Sequence, residues 1–444
     1  MTYVEILPLI ALVAMFVVAT VFGINIGILG FVGAFAVGAF LLGLDDREIL
    51  SAFPSSIVLT IVGVTYFFGM AKQNGTIDLL VDACIRGVRG RVRAVPWVFF
   101  FCASVLTALG TFSPAAVALI IPAAMSFAAR TTMSPLVAGV MVINGAHAGA
   151  FSPISVSGVL VNDLVESSGL TINPWVLFFS SYAINLLLSI LTIAGYAALS
   201  RARSFEYTAL GTRSDPSNED RPEPVDELER ADRAVGGPSQ ARETTVTRVQ
   251  TLTLALIGAV LVLVLVFHLP ISFVSLSAGA VLAFTDLSKQ PEAIAGISWA
   301  TVLLVSGMIT YVSLVQEIGT TDHLARSAMS VGAPLLVALV LCYVIGVASA
   351  FASSTALLAA IIPLALPLLQ TGALPVAGLV AALAVAATVV DVSPFSTNGA
   401  LVLANAQGID RPHFYRQLLL NAGIVVAVAP GLCWSLLVVL PSVV

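Results

Sequence analysis

Charge is what this 444-residue chain has least of: only 10% of its residues are Asp, Glu, Lys or Arg, where soluble domains carry about a quarter. The shortage is uneven, because 18 of the 43 charged residues fall between Arg201 and Arg248. Hydrophobic residues make up 59% and the mean hydropathy is +1.04, so lipid is the solvent for most of the chain. Cysteine is scarce as well. Cys84, Cys102, Cys342 and Cys433 stand singly in or beside apolar segments, which excludes a disulfide framework or a CxxC metal site and reads as free buried thiol. A net charge of −5 without a basic cluster argues against nucleic acid as a partner. There is no HExxH, no GxSxG and no pair of core carboxylates, so an enzyme is not expected and no cofactor beyond a coupling ion is called for. The N-terminal stretch lacks a basic n-region and a small-residue cleavage site, and reads as a retained first span.

What is present is a series of apolar stretches. Plain spans are predicted at about 4–22, 24–43, 54–72, 173–200, 251–268, 270–286, 297–316 and 412–440. Residues 95–128 and 334–370 are each two shorter apolar arms joined at GTFSPAA and AFASSTA. Arms that short read as re-entrant hairpins that enter and leave on one side. Residues 135–166 and 375–407 are interrupted by SPISVSG and SPFSTNG, and read as helices broken at proline.

The chain repeats itself. Ser152, Pro153, Ser155 and Gly158 recur 241 positions later as Ser393, Pro394, Ser396 and Gly399, and Ser113, Ile120, Ile121 and Pro122 recur as Ser354, Ile361, Ile362 and Pro363. Gly75, Thr76 and Asp78 match Gly319, Thr320 and Asp322, and Thr65-Tyr66 matches Thr310-Tyr311, at offsets of 244 and 245. The expected fold is therefore an all-α membrane protein of two five-crossing repeats, residues 1–200 and 251–444, with two re-entrant hairpins and two broken helices. Arg86, Arg89, Arg91, Arg93, Arg130, Arg201, Arg203, Arg411 and Arg416 are assigned to the cytoplasm, and five crossings then turn the second repeat upside down. Residues 201–250, rich in charge, Pro and Gly, are expected to be a disordered cytoplasmic linker.

Inverted repeats with broken helices place a binding site near the midplane, where only a protein-lined cavity tolerates the free backbone groups. The hairpin tips offer Thr111, Ser113, Ser353, Ser354 and Thr355, and the breaks offer Ser152, Ser155, Ser157, Ser393, Ser396, Thr397 and Asn398. Hydroxyls, amides and half-helix N-termini suit an anion together with a small hard cation. Asp391 is the one acid placed in the core, as a sodium ligand, a proton carrier or a local partner. His147 lies before the first break with Asn144 expected on the same face, positioned to bond a carboxylate or to titrate. His268, His323 and His413 fall at span ends and loops. With no core Arg or Lys, a dianion needs a co-bound cation to offset its charge. Ser113, Asn144, His147, Ser155, Ser157, Ser354, Thr355, Ser396, Thr397 and Asn398 form the substrate set. Thr111, Ser152, Ser353, Asp391 and Ser393 form the sodium set.

NGTIDLLVDACIRGVRGR, VPWVFF, GTFSPAAVALIIPAAMSF and above all NGAHAGAFSPIS resemble the malonate/dicarboxylate carriers of the MatC type, in the ion transporter superfamily that also holds the divalent anion/sodium symporters. The resemblance implies a small dicarboxylate such as malonate or a C4 acid as substrate and a bacterial inner-membrane location. It further implies a homodimer whose transport domains slide as elevators. Symporters of that superfamily carry Ser-Asn-Thr at each hairpin tip. Here the tips read Phe112-Ser113-Pro114 and Ser353-Ser354-Thr355. Sodium-coupled symport is the first expectation; a proton-coupled carrier and a cation/proton antiporter of the same superfamily stay open.

Overall fold

A computed structural model of the chain describes residues 3–86, 94–131, 133–167, 169–210, 246–318, 334–350, 354–370, 372–406 and 411–443. Ser353, His323 and the Gly319, Thr320 and Asp322 matches lie outside the described residues, as does the side chain of Cys84. Among the described residues every regular element is a helix.

In the first half these are α1 (Tyr3–Phe22), α2 (Ile26–Phe35, running on as a π-helix over Ala36–Leu42), α3 (Asp46–Ser51), α4 (Ser55–Gln73) and α5 (Thr76–Arg86). They continue with α6 (Val95–Ala108), α7 (Ser113–Arg130), α8 (Pro135–Gly149), α9 (Val156–Ser167) and α10 (Pro174–Leu210). The second half holds α11 (Arg248–Leu265), α12 (Ile271–Thr285), α13 (Gln290–Ala295), α14 (Trp299–Glu317) and α15 (Pro334–Ser349). After these come α16 (Ser354–Gln370), α17 (Val376–Val389), α18 (Thr397–Ala404), α19 (Arg411–Trp434) and α20 (Leu440–Val443). The same order recurs: a long helix, a span ending in a short helix, another span, a two-helix hairpin, a broken helix and a closing span.

Among the described residues five helices are long and apolar enough to cross a membrane alone, and Ile271–Thr285 with Leu287–Ala295 makes a sixth candidate bent by 120°. The hairpin arms have 14, 18, 16 and 17 residues, or about 21–27 Å at 1.5 Å per residue, short of a hydrocarbon core of about 30 Å. The linker differs from expectation. Helix α10 runs through Leu210, and α11 begins at Arg248 behind a capping box of Thr247 and Gln250, so residues 201–210 and 248–250 belong to helices.

The halves interlock through glycine. Helix α2 lies against α14 and, in the equivalent pairing, α4 lies against α12. A Cβ at Gly307 would sit 1.9 Å from the Gly27 carbonyl oxygen, and one at Gly27 would sit 1.9 Å from the Leu303 oxygen. At the other crossing a Cβ at Gly63 would sit 2.7 Å from the Ser272 oxygen and one at Gly279 2.6 Å from the Tyr66 ring. Lipid tails are as apolar as leucine, so close backbone approach and dispersion are what hold such helices together. The repeated Thr-Tyr pair shows a shared local bond: Thr65 Oγ1 donates to the Ile61 carbonyl at 2.6 Å and Thr310 Oγ1 to that of Ser306 at 2.7 Å.

Gly307→Ala is expected to destabilise the protein by about 1–3 kcal/mol, the usual cost of overpacking, seen as a lower thermal midpoint in detergent. Gly258→Ala is the control, since nothing lies within 4 Å of its added Cβ. Equal midpoints for both variants would show that the α2/α14 crossing is slack.

Candidate substrate and ion site

Both broken helices are interrupted by the same seven-residue turn, and each repeated letter has a structural task in it. Ser152 Oγ accepts from Ile154 N and Ser393 Oγ from Phe395 N, both at 3.3 Å, closing the turn across the proline. Ser155 Oγ donates to the Ser152 carbonyl at 2.8 Å, also bonds the Ala150 carbonyl, and accepts from Gly158 N at 3.1 Å. Ser396 Oγ donates to the Ser393 carbonyl at 2.7 Å and accepts from Gly399 N at 3.3 Å. A Cβ at Gly158 or Gly399 would stand 2.0 or 1.9 Å from the carbonyl oxygen of Ser152 or Ser393, so only glycine admits the turn.

Beside these turns lies a cavity of about 660 Å³. The opening residues of six helices line it: Asn25 and Ile26 of α2, Ser113 of α7, Ser157 of α9, Ser298 and Ala300 of α14, Ser354 and Thr355 of α16, and Thr397 of α18. Each N-terminus presents unpaired N–H groups and the positive end of a helix dipole. Among the described residues the only ionisable side chains on the wall are His147 and Asp391, and no Lys or Arg lines it.

His147 and Asp391 belong to one cluster that crosses between the halves. Asn398 Nδ2 lies 2.9 Å from Asp391 Oδ2, 3.0 Å from His147 Nε2 and 3.3 Å from Ser113 Oγ. His147 Nε2 and Asp391 Oδ2 are 3.5 Å apart, with His147 1% and Asp391 4% exposed. Gly145 and Gly149 flank His147 and let α8 close on α6, where a Cβ would meet the Phe100 or Ser104 carbonyl at 2.2 or 2.1 Å. Among the described residues His147 Nδ1 and Asn398 Oδ1 of this cluster have no partner, nor does Thr111 Oγ1 at the first hairpin tip.

Of the residues singled out in the sequence, Ser113, His147, Ser157, Ser354, Thr355, Thr397 and Asp391 reach the cavity wall. Others differ from expectation. Asn144 turns away and donates to Ser189 Oγ of α10 at 3.1 Å. Ser155 and Ser396 are spent on capping α9 and α18, and Ser393 on its own turn. Ser152 also donates to the Ala108 carbonyl at 2.6 Å, locking the turn to the first hairpin. Neither the half-buried Thr111 nor the fully buried Asn398 lines the cavity. The wall formed by Asn25 and Ser298–Leu304 was not foreseen. Its available signal was Asn25 itself, an N-cap residue that accepts from Gly27 N at 2.9 Å and donates to the Ala300 carbonyl at 2.8 Å. Among the described residues no three of His, Cys, Asp and Glu gather to hold a metal ion.

Membrane-length helices, short apolar helix pairs and broken helices around one cavity define a multi-pass, all-helical membrane-protein fold. Residues 1–150 match the family model described as the N-terminus of the dicarboxylate carrier protein MatC, which bears out the resemblance read from the motifs. No curated protein matches the chain. Among solved structures the chain is similar to the YdaH transporter of Alcanivorax borkumensis, with a TM-score of 0.58 and 14% identity over 87% of this chain and 86% of that one. At that identity the likeness shows the fold.

Ser396→Ala is expected to cost about 0.5–2 kcal/mol of stability, as loss of an N-cap does, and to leave the half-saturating substrate concentration unchanged. An affinity change without a stability change would put the Ser396 hydroxyl in the binding site and overturn the capping assignment.

Proposed function

We propose that the protein is a secondary transporter of a small dicarboxylate, malonate or a C4 acid, moved together with sodium ions. The observation that carries this reading is the convergence of six helix N-termini on a cavity that no described Lys or Arg lines. Dipole ends and hydroxyls attract carboxylates, and each hydrogen bond to a charged ligand contributes about 1.5–3 kcal/mol. They do not neutralise a dianion. Asp391 adds a further acidic group to the same wall, so a cation must enter with the substrate. The unpartnered oxygens Asn398 Oδ1, on the amide whose nitrogen lies 2.9 Å from Asp391 Oδ2, and Thr111 Oγ1 at the first hairpin tip are the kind of hard donors sodium takes. The family match over residues 1–150 supports a dicarboxylate as cargo.

The same reading takes the two halves as inverted repeats, the hairpins as re-entrant, and the protein as a homodimer in the bacterial inner membrane. The hairpins and broken helices would then move as an elevator past α2, α4, α12 and α14. The recurring element order and the reciprocal α2/α14 and α4/α12 crossings support the repeat. A proton-coupled carrier is the second reading, favoured by the 3.5 Å approach of His147 to Asp391. An antiporter with exchanging acids fits less well, because Asp391 is the only carboxylate on the wall among the described residues.

The test is uptake of radiolabelled malonate, succinate and malate into proteoliposomes, with sodium and pH gradients imposed separately. Sodium-dependent accumulation is expected, and Ser354→Ala should raise the half-saturating concentration about 10- to 150-fold. Equal accumulation with choline in place of sodium under a proton gradient would reassign the coupling ion. No uptake of any dicarboxylate under either gradient would overturn the reading.

A further inference from the structure

Phe16 and Ala19 bring α1 to the cavity, beside Ile24, Asn25 and Ile26 at the start of α2. The opposite face of the same helix looks outward. Val13 and Val17 are 63% and 56% exposed, and Leu7, Ile10 and Val21 continue that apolar stripe at helical spacing. Pro8, Leu12 and Met15 are buried and lead down to Ala19 at the same spacing, where α1 lies against α2. One helix thus shows one side to the cavity and the other to the outside of the protein.

That helix is tied down from a distance. Tyr311 of α14 is fully buried, and its ring passes α2 at Gly33, where a Cβ would stand 3.0 Å from the ring and 3.1 Å from Met15 Sδ. Its hydroxyl donates to the Pro8 carbonyl of α1 at 2.6 Å, across 303 positions of sequence. A carbonyl oxygen has two lone pairs, so a helix carbonyl can take a hydroxyl and stay helical. The second repeated tyrosine offers a comparison. Tyr66 of α4 passes α12 at Gly279 in the same way, with an added Cβ 2.6 Å from its ring, but no hydrogen bond from its hydroxyl is present among the described residues. Apolar packing between helices gains little in lipid, whose tails are as apolar as the partner, so a buried polar bond weighs heavily on a helix with few neighbours.

We infer that α1 is the partition between the cavity and the bilayer, and that Tyr311 is the positioning residue that holds it against α2. Phe16 and Ala19 face the cavity because Pro8, two turns before Phe16, is fixed by the Tyr311 hydroxyl. Tyr311 is itself absent from the cavity wall, so it acts on the site through α1. Any effect on transport rests on the dicarboxylate reading; the partition and its tether do not.

The experiment uses the full chain in nanodiscs without substrate, with Cys84→Ser so that the buried thiols of Cys102, Cys342 and Cys433 remain. Spin labels are attached in separate samples at Ala19→Cys and at Val17→Cys. Their collisions are measured with a water-soluble nickel complex and with oxygen, which concentrates in lipid. Nickel should dominate at Ala19→Cys and oxygen at Val17→Cys, although the two sites are neighbours on one helix. Tyr311→Phe keeps the ring at Gly33 and removes only the hydroxyl. It should erode that contrast and raise the mobile fraction of both labels about 2- to 10-fold, the equivalent of one buried hydrogen bond. Tyr66→Phe should leave both labels unchanged. A merely structural role for Tyr311 would lower the thermal midpoint and leave the surroundings of the labels as they were. Oxygen dominating at both sites, or Tyr311→Phe spectra identical to those of the parent, overturns the proposal. Should Tyr311→Phe fail to fold, the two labels in the parent still decide whether α1 is the partition. These signals are read without transport, so a protein that carries no dicarboxylate would fail the uptake test and still pass or fail this one.

Discussion

The rest of the structure depends on one constraint: a helix that breaks inside a membrane must satisfy its own freed backbone groups, because lipid offers none. Ser-Pro-x-Ser-x-x-Gly meets it within seven residues. The proline stops the helix, the first serine closes the turn, the second caps the next helix, and the glycine lets a carbonyl oxygen lie where a Cβ would stand. A self-satisfied break leaves the new helix starting at depth, with its N-terminus aimed at whatever the cavity holds. That the same device occurs in both halves is why two of the six N-termini around the cavity come from breaks. A third comes from the first hairpin tip, where Gly110 N bonds the Thr107 carbonyl and Thr111 N that of Leu106, and a fourth is the start of α16 at Ser354.

Once the breaks exist, the cluster at the cavity wall joins the halves. Asn398, two residues into α18, reaches the first hairpin through Ser113, the first broken helix through His147, and its own turn through Asp391. Its single NH₂ faces three acceptors with two hydrogens, while its oxygen has no donor. An amide so unevenly served is responsive to its surroundings: a cation at the oxygen, or a change at any of the three acceptors, alters its best orientation. Contact between the halves and contact with the wall residues Ser113, His147 and Asp391 therefore share one side chain.

Much of this was legible in the letters, and the parts that were not have physical reasons. Periodic punctuation by Ser, Pro and Gly showed both breaks and both hairpins, because those residues act locally. Asn144 was expected on the face of His147, but α8 is buried on all sides from Val137 to Gly149; with no polar face, spacing alone does not tell which neighbour a side chain meets. Ser155 and Ser396 carried a signal that was underweighted, since serine three residues before glycine at a helix start is a capping pattern. The α2 and α14 contribution needed the tertiary crossing at Gly27 and Gly307, which no local motif specifies. Linker residues 201–210 look disordered by composition, yet they extend a helix already nucleated by the apolar span before them, and propagation is far easier than nucleation.

The electrostatics of the cavity then narrow what can cross. A wall of dipole ends binds an anion without holding a full positive charge there, so the empty site carries no permanent cation and the anion alone remains uncompensated. A fixed arginine would compensate it in every state, and would leave a buried unpaired charge each time the substrate left. On the proposed reading a mobile cation would avoid that, arriving with the substrate and departing with it. Asp391 adds an acidic group to the same wall, which would leave an incoming anion more dependent on a partner. Coupling between anion and cation would then follow from leaving Lys and Arg off the described part of the wall, and the scarcity of charge that marks the whole chain would reappear as the rule by which its site works.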